Sequence, residues 1–523
     1  MNDVVIAGAG PNGLMLANEL GLAGIQPVVL EPLAGPNPQR RANGITGQAV
    51  RLLDHRGLYS VVTGTPDPPE PSPWAMFAAM ALDLTGVPDP QHFMVPVQQP
   101  RLVRLLVDRV RDNGADIRWG HRLAGFEQDG DRVVVHVDGP DGSYELPAHY
   151  LVGADGGTSQ TRKLAGIDFP GMTSHDAVAR MAFGVEPPAD WMDPVTGTLD
   201  IPGWGRLPPT PFHRAEHGVF ACRRLGDRAM VITMELDRSA NEDRIDGSDE
   251  AYNEEPVSLA EVEASLKRVV GVDVPLTPVA PDAPLDLRRF YGINSRIASR
   301  YRAGRVFLVG DAAHVHSPMG GPGLNLGLQD AVNLGWKLAA VIAGGADPAL
   351  LDTYQAERRP AAERVIMHSR AQLALVRPGT EITALRDMFS ELLQDPNNAK
   401  RISDLLSGND NHYTLGADAH PLVGRWVPDF AVTSDGATRR VAELARSGRP
   451  LLIDLTDNAG LTAAISDVAE RITVATGPAV GDVSATALLV RPDGYVAWAS
   501  SAARPDADEL RPILHEWFGI TVG

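Results

Sequence analysis

Residues 4–14 read VVIAGAGPNGL, and this segment determines how the N-terminal half of the chain folds. Val4 to Ala7 form a short apolar run typical of a buried strand, and Leu14 to Gly21 continue with helical spacing. Between them, Gly8, Gly10 and Gly13 have the spacing of a dinucleotide-binding turn. Because strand, turn and helix occur together, the segment favours a Rossmann-like nucleotide site over a plain glycine-rich turn.

Each glycine of this turn has a physical role. Gly8 permits the tight turn, Gly10 lets the backbone approach a pyrophosphate, and Gly13 lets the helix pack closely on the strand. The helix that follows offers free N–H groups and the positive end of its dipole to phosphates. A second strand, Pro27 to Leu30, delivers Glu31 to the place where an acid binds a ribose hydroxyl. The turn suits FAD and NAD equally well.

A second segment, residues 304–314, reads GRVFLVGDAAH. Its apolar strand brings Gly310 and Asp311 to the C-terminal end, where open α/β sheets bind ligands. A glycine-rich loop, Pro318 to Asn325, follows and precedes a helix predicted from about Leu324 to Ala343. Its backbone donors are suited to face a ring edge that becomes anionic on reduction.

A third segment, residues 152–157, reads VGADGG and places Asp155 directly after another strand. Taken alone, it is equally consistent with a hairpin turn.

Composition argues against several function classes. The net charge of −19 argues against a nucleic-acid partner, which would need a basic face. No apolar run reaches the roughly 18 residues of a membrane span, and the N-terminus lacks the features of a signal peptide, so we expect a cytoplasmic protein. The single cysteine, Cys222, excludes an intramolecular disulfide and a CxxC centre, and it is predicted to be a small buried apolar residue.

His314 and His316 form an H-x-H pair, which binds metal only with a further ligand on the same face. Since His314 belongs to the Gly310–Asp311 segment, we predict that both support the cofactor loop and that no metal is bound.

Together the three segments resemble the fingerprints of the para-hydroxybenzoate-hydroxylase class of group A flavoprotein monooxygenases. Within that class the chain is most similar to aromatic polyketide hydroxylases and rifampicin-type monooxygenases. Residues 40–42, 53–58, 329–338 and 491–498 also carry the resemblance. It covers nearly the whole chain and is weakest at residues 60–95 and 180–285.

The resemblance implies an α/β fold of three units. A Rossmann-like FAD-binding domain would take residues 1–176 and 288–400, with residues 64–98 contributing to the substrate side. An inserted β-sheet substrate domain would take residues 177–287, and a thioredoxin-like domain residues 412–523. Because residues 412–523 contain no cysteine, the last domain is expected to be structural or an assembly surface.

The resemblance also assigns roles to matching residues. Glu31 would bind the adenosine ribose, Arg41 the diphosphate or ribityl region, and Gln99, just before the helix of residues 102–113, the flavin chain. Asp155 would lie in the segment that links FAD and NAD(P)H binding, and Asp311 would hold the ribityl hydroxyls. The full set of expected cofactor contacts is Gly8, Gly10, Pro11, Asn12, Gly13, Glu31, Arg41, Gln99, Asp155, Gly310, Asp311, Pro318, Gly321, Gly323, Leu324 and Asn325.

The implied reaction is reduction of bound FAD by NAD(P)H, formation of a flavin C4a-hydroperoxide with O₂, and hydroxylation of an aromatic polyketide or similar polycyclic natural product. Pro318, Gly320 and Gly321 would lie near the flavin ring, and no side chain stands out as catalytic. Because a second strand–turn–helix unit is missing, NADPH or NADH is expected to bind transiently. The expected partners are the substrate and O₂, with no nucleic acid and no membrane, and the chain would be a monomer or homodimer.

Three alternatives remain at this level. Baeyer–Villiger oxygenation or epoxidation uses the same scaffold, a flavin halogenase would require a W-x-W segment that the sequence lacks, and a degenerate flavin-binding module would have no activity. Aromatic residues suited to stacking on fused rings are the candidates for the pocket wall, although each is also consistent with ordinary core. They are Trp74, Phe77, Phe93, Trp204, Phe212, Phe220 and Tyr291.

Overall fold

The structure is a computed structural model. It describes residues 1–39, 42–193, 198–207, 210–225, 228–236, 257–280, 285–415, 420–434, 436–456 and 460–522. Arg41, one of the predicted cofactor contacts, lies outside the described residues. Within these ranges, none of the helices has the length and apolar character needed to cross a membrane.

The strands and helices are numbered in chain order. The strands are β1 (Asn2–Ala7), β2 (Val28–Glu31), β3 (Gly44–Thr46), β4 (Trp74–Phe77), β5 (Met80–Asp83), β6 (Met94–Pro96), β7 (Asp116–Trp119), β8 (Arg122–Gln128), β9 (Val133–Gly139), β10 (Gly142–Gly153), β11 (Gly171–Phe183), β12 (Val185–Glu186), β13 (Asp200–Ile201), β14 (Gly205–Arg206), β15 (His213–Ala215), β16 (Gly218–Leu225), β17 (Arg228–Glu235), β18 (Thr277–Pro278), β19 (Asp286–Ile297), β20 (Arg302–Ala303), β21 (Val306–Leu308), β22 (His314–Val315), β23 (Ala431–Ser434), β24 (Ala437–Arg440), β25 (Leu451–Asp454), β26 (Thr473–Thr476), β27 (Ala479–Val480), β28 (Ala487–Val490) and β29 (Val496–Ser500). The helices are α1 (Pro11–Leu22), α2 (Gln48–His55), α3 (Tyr59–Thr63), α4 (Gln99–Asp112), α5 (Gln160–Leu164), α6 (Leu259–Val270), α7 (Pro322–Ile342), α8 (Asp352–Leu375), α9 (Thr380–Leu392), α10 (Pro396–Ser407), α11 (Val441–Leu444), α12 (Gly460–Ala464) and α13 (Ala507–Phe518).

A largely parallel sheet with the order β20-β21-β10-β1-β2-β7 forms the centre of the first unit. Strand β1 lies between β10 and β2, and Val5 is paired with both Leu151 and Val28. Strands β8 and β9 extend the sheet by antiparallel pairing onto β10. Side chains alternate along β9, and Val133, Val135 and Val137 on one face are all fully buried.

Helices α1, α4 and α7 pack together beside this sheet. Helix α1 begins at Pro11 rather than at the predicted Leu14, since proline at the first helical position loses no hydrogen bond. Gln99 is the first residue of α4 and does not precede the helix as predicted, because Pro100 at the second position is equally compatible with the first turn.

The second unit is an antiparallel sheet with the order β15-β16-β17-β11-β19-β22. The long strand β11 begins at Gly171 and the long strand β19 ends at Ile297. The sheet therefore extends beyond both ends of the predicted substrate domain, residues 177–287. Helix α6 packs on one face of the sheet, where Val262 and Leu266 join a cluster with Phe220. The other face contacts the β4–β5 hairpin and the end of α8 through a separate apolar cluster.

The C-terminal unit contains a four-stranded sheet with the order β26-β25-β28-β29. Strand β25 is parallel to β26 and antiparallel to β28, and β28 and β29 form a hairpin. The hairpin has a tight turn at Arg491 to Gly494, in which Gly494 N–H donates to the Arg491 carbonyl at 2.9 Å. Helix α13 packs through Leu514 and Phe518 against Trp336 of α7.

A buried ion network joins this unit to helices α7 and α8. The Arg491 guanidinium donates to both carboxylate oxygens of Glu357 at 2.7 Å and also to Asp493. Lys337 and Asn333 each donate to Glu357 at 2.7 Å. Burial alone would raise the pKa of Glu357, but Arg491 and Lys337 outweigh burial and hold that pKa well below its ordinary value.

We predict that Arg491→Met lowers the free energy of unfolding by roughly 3–5 kcal/mol, because it removes the main cation opposite two buried carboxylates. The matched control is Arg511→Met, whose pair with Asp508 is solvent-exposed and should contribute about 0–1 kcal/mol. Denaturant unfolding of both variants measures the difference. Equal stability of the two variants would show that the buried network does not hold the C-terminal unit in place.

Candidate cofactor and substrate site

The three glycine-containing segments follow the ends of three neighbouring strands. Ala7, Gly153 and Leu308, the last residues of β1, β10 and β21, lie side by side in the sheet. The carboxyl edge of a parallel sheet is where nucleotide ligands bind in open α/β folds. The structure thus brings together segments that are far apart in the sequence.

The turn after β1 is closed by close backbone packing. Gly8 has φ +112°, and a Cβ atom there would lie 2.5 Å from the Ala154 carbonyl oxygen. A Cβ at Gly13 would lie 2.0 Å from the Gly8 carbonyl oxygen. Only glycine fits either position.

Gly10 differs from its two neighbours because a Cβ there would meet nothing within 4 Å. Its φ of −74° is also open to any residue. Helix α1 begins at this point with no side-chain cap and no acidic residue in its first turn. The free N–H groups and the open space beside Gly10 fit a bound diphosphate.

Glu31 ends β2 beside this turn. Its carboxylate accepts the Ala9 N–H at 2.9 Å and the Leu33 N–H at 3.1 Å. The side chain is thereby held at the edge where the predicted ribose contact would be made.

Asn12 packs the turn after β1 against the Gly310–Asp311 segment and against α7. A Cβ at Gly310 would lie 1.9 Å from Asn12 Nδ2, and one at Gly327 of α7 would lie 2.3 Å from it. Asn12 Oδ1 is buried and has no hydrogen-bond partner among the described residues. Gly327 was not predicted, since its role depends on a contact between distant segments.

Asp155 serves as a local anchor. Its carboxylate accepts hydrogen bonds from the Ser159 hydroxyl and from the N–H and hydroxyl of Thr161. Arg162, for which the sequence suggested no role, donates to the Ala312 and Gly157 carbonyls at 2.9 Å. These bonds join the Asp155 segment to the turn that carries Asp311.

Asp311 lies in a single helical turn, Gly310–Ala312, directly after β21. Its Oδ1 would lie 3.9 Å from a Cβ at Gly323, so the carboxylate faces the loop of residues 318–325. This loop turns through Gly320 and Gly321, with φ values of +84° and +64°. An acid and a glycine-rich helix start on opposite sides of one crevice fit the polyol chain and ring edge of a flavin.

Asn325 holds the loop from behind. Its Oδ1 accepts the Thr46 N–H at 2.9 Å, and its Nδ2 donates to the Thr46 hydroxyl and to the Gly321 carbonyl. Thr46 was not predicted. Gln99 accepts the Ala42 N–H at 3.3 Å at the start of α4.

The two histidines have different surroundings. His314 is fully buried, and its Nε2 lies 2.6 Å from Asp330 of α7, which also pairs with Arg358 of α8. Burial alone would raise the pKa of Asp330, but His314 and Arg358 outweigh burial and lower it. His316 Nδ1 lies 2.9 Å from the Ser317 carbonyl oxygen. In the part of the chain that the structure describes, no group of three metal-binding side chains forms.

The aromatic wall candidates separate onto different surfaces. Phe77 and Phe212 belong to the apolar cluster between the β4–β5 hairpin and the inner face of the six-stranded sheet, which also contains Met319 of the cofactor loop. Phe93 is instead part of the core of the first unit. Trp74 lies on the opposite face of the hairpin from Ala75 and Phe77, because side chains alternate along a strand.

Trp204, Phe220 and Tyr291 require a correction. Phe220 is fully buried against α6, and Trp204 packs edge-on against its ring. Tyr291 lies beneath Arg289, which pairs with Glu261 of α6. All three are on the face of the sheet that points away from the cofactor loop, so they do not line a pocket beside it.

Cys222 lies two residues after Phe220 on β16 and packs against the same apolar cluster beside α6. Burial raises the pKa of its thiol to about 12, which makes it inert at neutral pH.

Two known families match the chain. The family described as "FAD binding domain" matches residues 1–369, and the one described as "Aromatic-ring hydroxylase, C-terminal" matches residues 420–520. The first match contains all three cofactor segments.

Similar proteins agree with both matches over nearly the full length. The 12-dehydrotetracycline 5-monooxygenase/anhydrotetracycline 6-monooxygenase of Streptomyces rimosus is 39% identical, with 99% of each chain covered. The rifampicin monooxygenase of Rhodococcus hoagii is 35% identical, with 99% of this chain and 98% of the relative covered. The solved structure of the anhydrotetracycline hydroxylase OxyS from Streptomyces rimosus superposes with a TM-score of 0.83 at 37% identity, with 99% of each chain covered.

The family match, the full-length relatives and the fit of the crevice to a dinucleotide lead to the same conclusion. The cofactor is FAD, and NAD(P)H is the reductant typical of the class. The chain therefore belongs to the FAD-binding-domain family and is a flavoprotein monooxygenase of the group A class.

Proposed function

We propose that this protein hydroxylates a fused-ring aromatic polyketide, with one oxygen atom taken from O₂. One observation carries the proposal: a single apolar cluster joins Met319 of the cofactor loop to the inner face of the six-stranded sheet. An apolar surface beside the cofactor ring is what a polycyclic substrate requires. The names of the relatives, which include an anhydrotetracycline and a rifampicin monooxygenase, support the same substrate class.

The residues that would hold FAD follow from the geometry of the strand ends. The N–H groups that follow Gly10 would bind the diphosphate, and Glu31 the adenosine ribose. Asp311 would accept hydrogen bonds from the ribityl hydroxyls, and the loop of residues 318–325 would border the ring. Asp155 acts on this site indirectly, since its carboxylate is already bonded to Ser159 and Thr161.

Bound FAD supplies hydride acceptance from NAD(P)H and activation of O₂. The chain's own task is to orient the substrate and to exclude water from the reacting atoms. Phe77, Phe212 and Met319 are placed for the second task because they pack in one apolar cluster at the loop.

Baeyer–Villiger oxygenation and epoxidation are not favoured. The solved structure reported above is that of a hydroxylase, and its chain matches this one over nearly its whole length. Location in the cytoplasm and a monomeric or homodimeric state stay predictions.

The C-terminal unit is proposed to be thioredoxin-like. Its strand order and the antiparallel hairpin followed by α13 support this fold. Since residues 420–523 contain no cysteine, it would have no thiol chemistry. Its burial against α7 and α8 supports a structural role.

With ¹⁸O₂ and a panel of fused-ring polyketides that includes anhydrotetracycline and rifampicin, we expect a product with one labelled oxygen and an unchanged carbon skeleton. Mass spectrometry of reactions with NADPH or NADH makes the measurement. An ester or lactone product would contradict ring hydroxylation. Consumption of NAD(P)H with release of peroxide alone, across the whole panel, would contradict the substrate class.

Gly10→Ala is predicted to weaken FAD binding without affecting the fold. The added methyl group enters space that is open in the protein but that the diphosphate would occupy, so the Kd for FAD should rise roughly tenfold or more, about 1.4 kcal/mol. Gly130→Ala, at an exposed turn with equal room, is the control. Fluorescence titration of the apoprotein with FAD measures the Kd of both variants. An unchanged Kd in Gly10→Ala would contradict the proposal that the diphosphate binds at this turn.

The two faces of the six-stranded sheet should respond differently to truncation. Phe212→Ala is expected to raise the KM for the substrate, because Phe212 borders the cluster next to the cofactor loop. Phe220→Ala should lower the free energy of unfolding by about 3–5 kcal/mol and leave KM unchanged. Steady-state kinetics and denaturant unfolding of both variants test this assignment, and the reverse pattern would refute it.

A further inference from the structure

Helix α8 carries a histidine that the site described above does not use. His368 is 1% exposed, and it lies one helical turn before Gln372, which is fully buried. Both side chains lie on one face of α8, since residues four apart are neighbours on a helix.

The hydrogen bonds of Gln372 determine the tautomer of His368. Gln372 Oε1 accepts the Ala78 N–H at 3.1 Å, so its Nε2 group is the donor. That amide group lies 3.3 Å from His368 Nδ1, which must therefore accept. A neutral imidazole that accepts at Nδ1 carries its proton on Nε2.

His368 Nε2 is buried and has no hydrogen-bond partner among the described residues. Burial, with smaller effects of His316 and Arg364, lowers the pKa of His368 to about 4. The ring is therefore neutral at pH 7, and its Nε2–H is an unsatisfied buried donor. Such a group carries a cost that a ligand oxygen would relieve.

The position of this donor is defined by its neighbours. A Cβ at Gly320 of the cofactor loop would lie 3.0 Å from Gln372 Nε2, so Gln372 packs directly against that loop. Leu373 and Val376, which follow on α8, belong to the apolar cluster that contains Phe77 and Met319. Gln372 thus lies where the cofactor loop, the β4–β5 hairpin and the apolar cluster meet, and its amide bonds to the ring of His368.

The hairpin turn at this junction is strained. Ala78 and Ala79 have φ values of +51° and +58°, which are unfavourable for alanine. Gln372 holds the Ala78 N–H, and Arg386 donates to the Ala78 carbonyl at 2.6 Å. A strained turn that is fixed in this way supports a functional role for the surrounding residues.

We propose that His368 is a substrate-binding residue that donates a hydrogen bond from Nε2 to a keto or phenol oxygen of the polycyclic substrate, and that Gln372 is the positioning residue that sets its tautomer. This inference rests on the proposed hydroxylase function and deepens it. The hydrogen bond from His368 would favour substrates that carry an oxygen next to the ring system over wholly apolar compounds of the same shape.

The test uses His368→Leu, His368→Gln and a matched control in the full-length FAD-bound enzyme. His368→Leu removes the donor, and His368→Gln keeps an N–H donor near the position of Nε2. The control is His55→Leu, because His55 is also buried with an unpartnered ring nitrogen but packs against Trp426 of the C-terminal unit. The probe is anhydrotetracycline, or whichever polyketide of the panel the wild-type enzyme oxidises fastest.

In His368→Leu we expect KM to rise roughly tenfold to a hundredfold, because the substrate loses one buried hydrogen bond. The fraction of NAD(P)H consumption coupled to product should fall, His368→Gln should recover most of both values, and His55→Leu should match the wild type. The FAD affinity of His368→Leu should be unchanged and its Tm close to that of His55→Leu, because leucine removes one unsatisfied donor but also the acceptor of Gln372 Nε2.

Two results would overturn the inference while leaving the proposed function intact. One is a wild-type KM and coupling in His368→Leu on a substrate that the wild-type enzyme oxidises. The other is a larger fall in Tm in His368→Leu than in His55→Leu, which would mean that His368 is a structural residue. If the wild-type enzyme oxidises no member of the panel, the proposed function fails, and this inference fails with it.

Discussion

The close packing of three strand ends constrains the rest of this structure. A single methyl group added at Gly8 would collide with the Ala154 carbonyl, one at Gly310 with Asn12, and one at Gly13 with the Gly8 carbonyl. The turn after β1, the Ala154 segment and the Asp311 segment are therefore held in close contact. That arrangement leaves the space beside Gly10 open, where an anionic ligand can approach free N–H groups. The shape of the cofactor crevice follows from backbone packing more than from any side chain that lines it.

Helices α7 and α8 connect the strand ends to the C-terminal unit. Asp330, Lys337, Glu357 and Arg358 place charges inside the protein, and each is paired with a partner of opposite charge on a neighbouring helix or on the C-terminal hairpin. Buried pairs of this kind fix orientation strongly, because removing one partner leaves an uncompensated charge. The same two helices also carry the end of the cofactor loop and His368. The C-terminal unit therefore stabilises the frame on which the site is built.

The sequence was sufficient to predict features that depend on local spacing. The glycine turn, Glu31 and Asp311 all lie at the ends of predicted strands, and a strand end in a parallel sheet has a known position. The sequence was insufficient where contacts between distant segments determine the role of a residue. Thr46 bonds to Asn325 across 279 residues, and Gly327 is required only because Asn12 fills the space beside it. Trp204, Phe220 and Tyr291 were misplaced for the same reason, since the face on which Phe220 lies depends on how β16 is paired with β15 and β17.

The central claim is that cofactor and substrate meet between the strand-end crevice and the inner face of the six-stranded sheet. A crystal structure of the protein with FAD and an oxidised polyketide substrate tests this claim most directly. We predict the diphosphate on the N–H groups after Gly10, the flavin ring beside Gly320 to Asn325, and the substrate against Phe77, Phe212 and Met319. A substrate bound between the sheet and α6, beside Trp204 and Phe220, would contradict it.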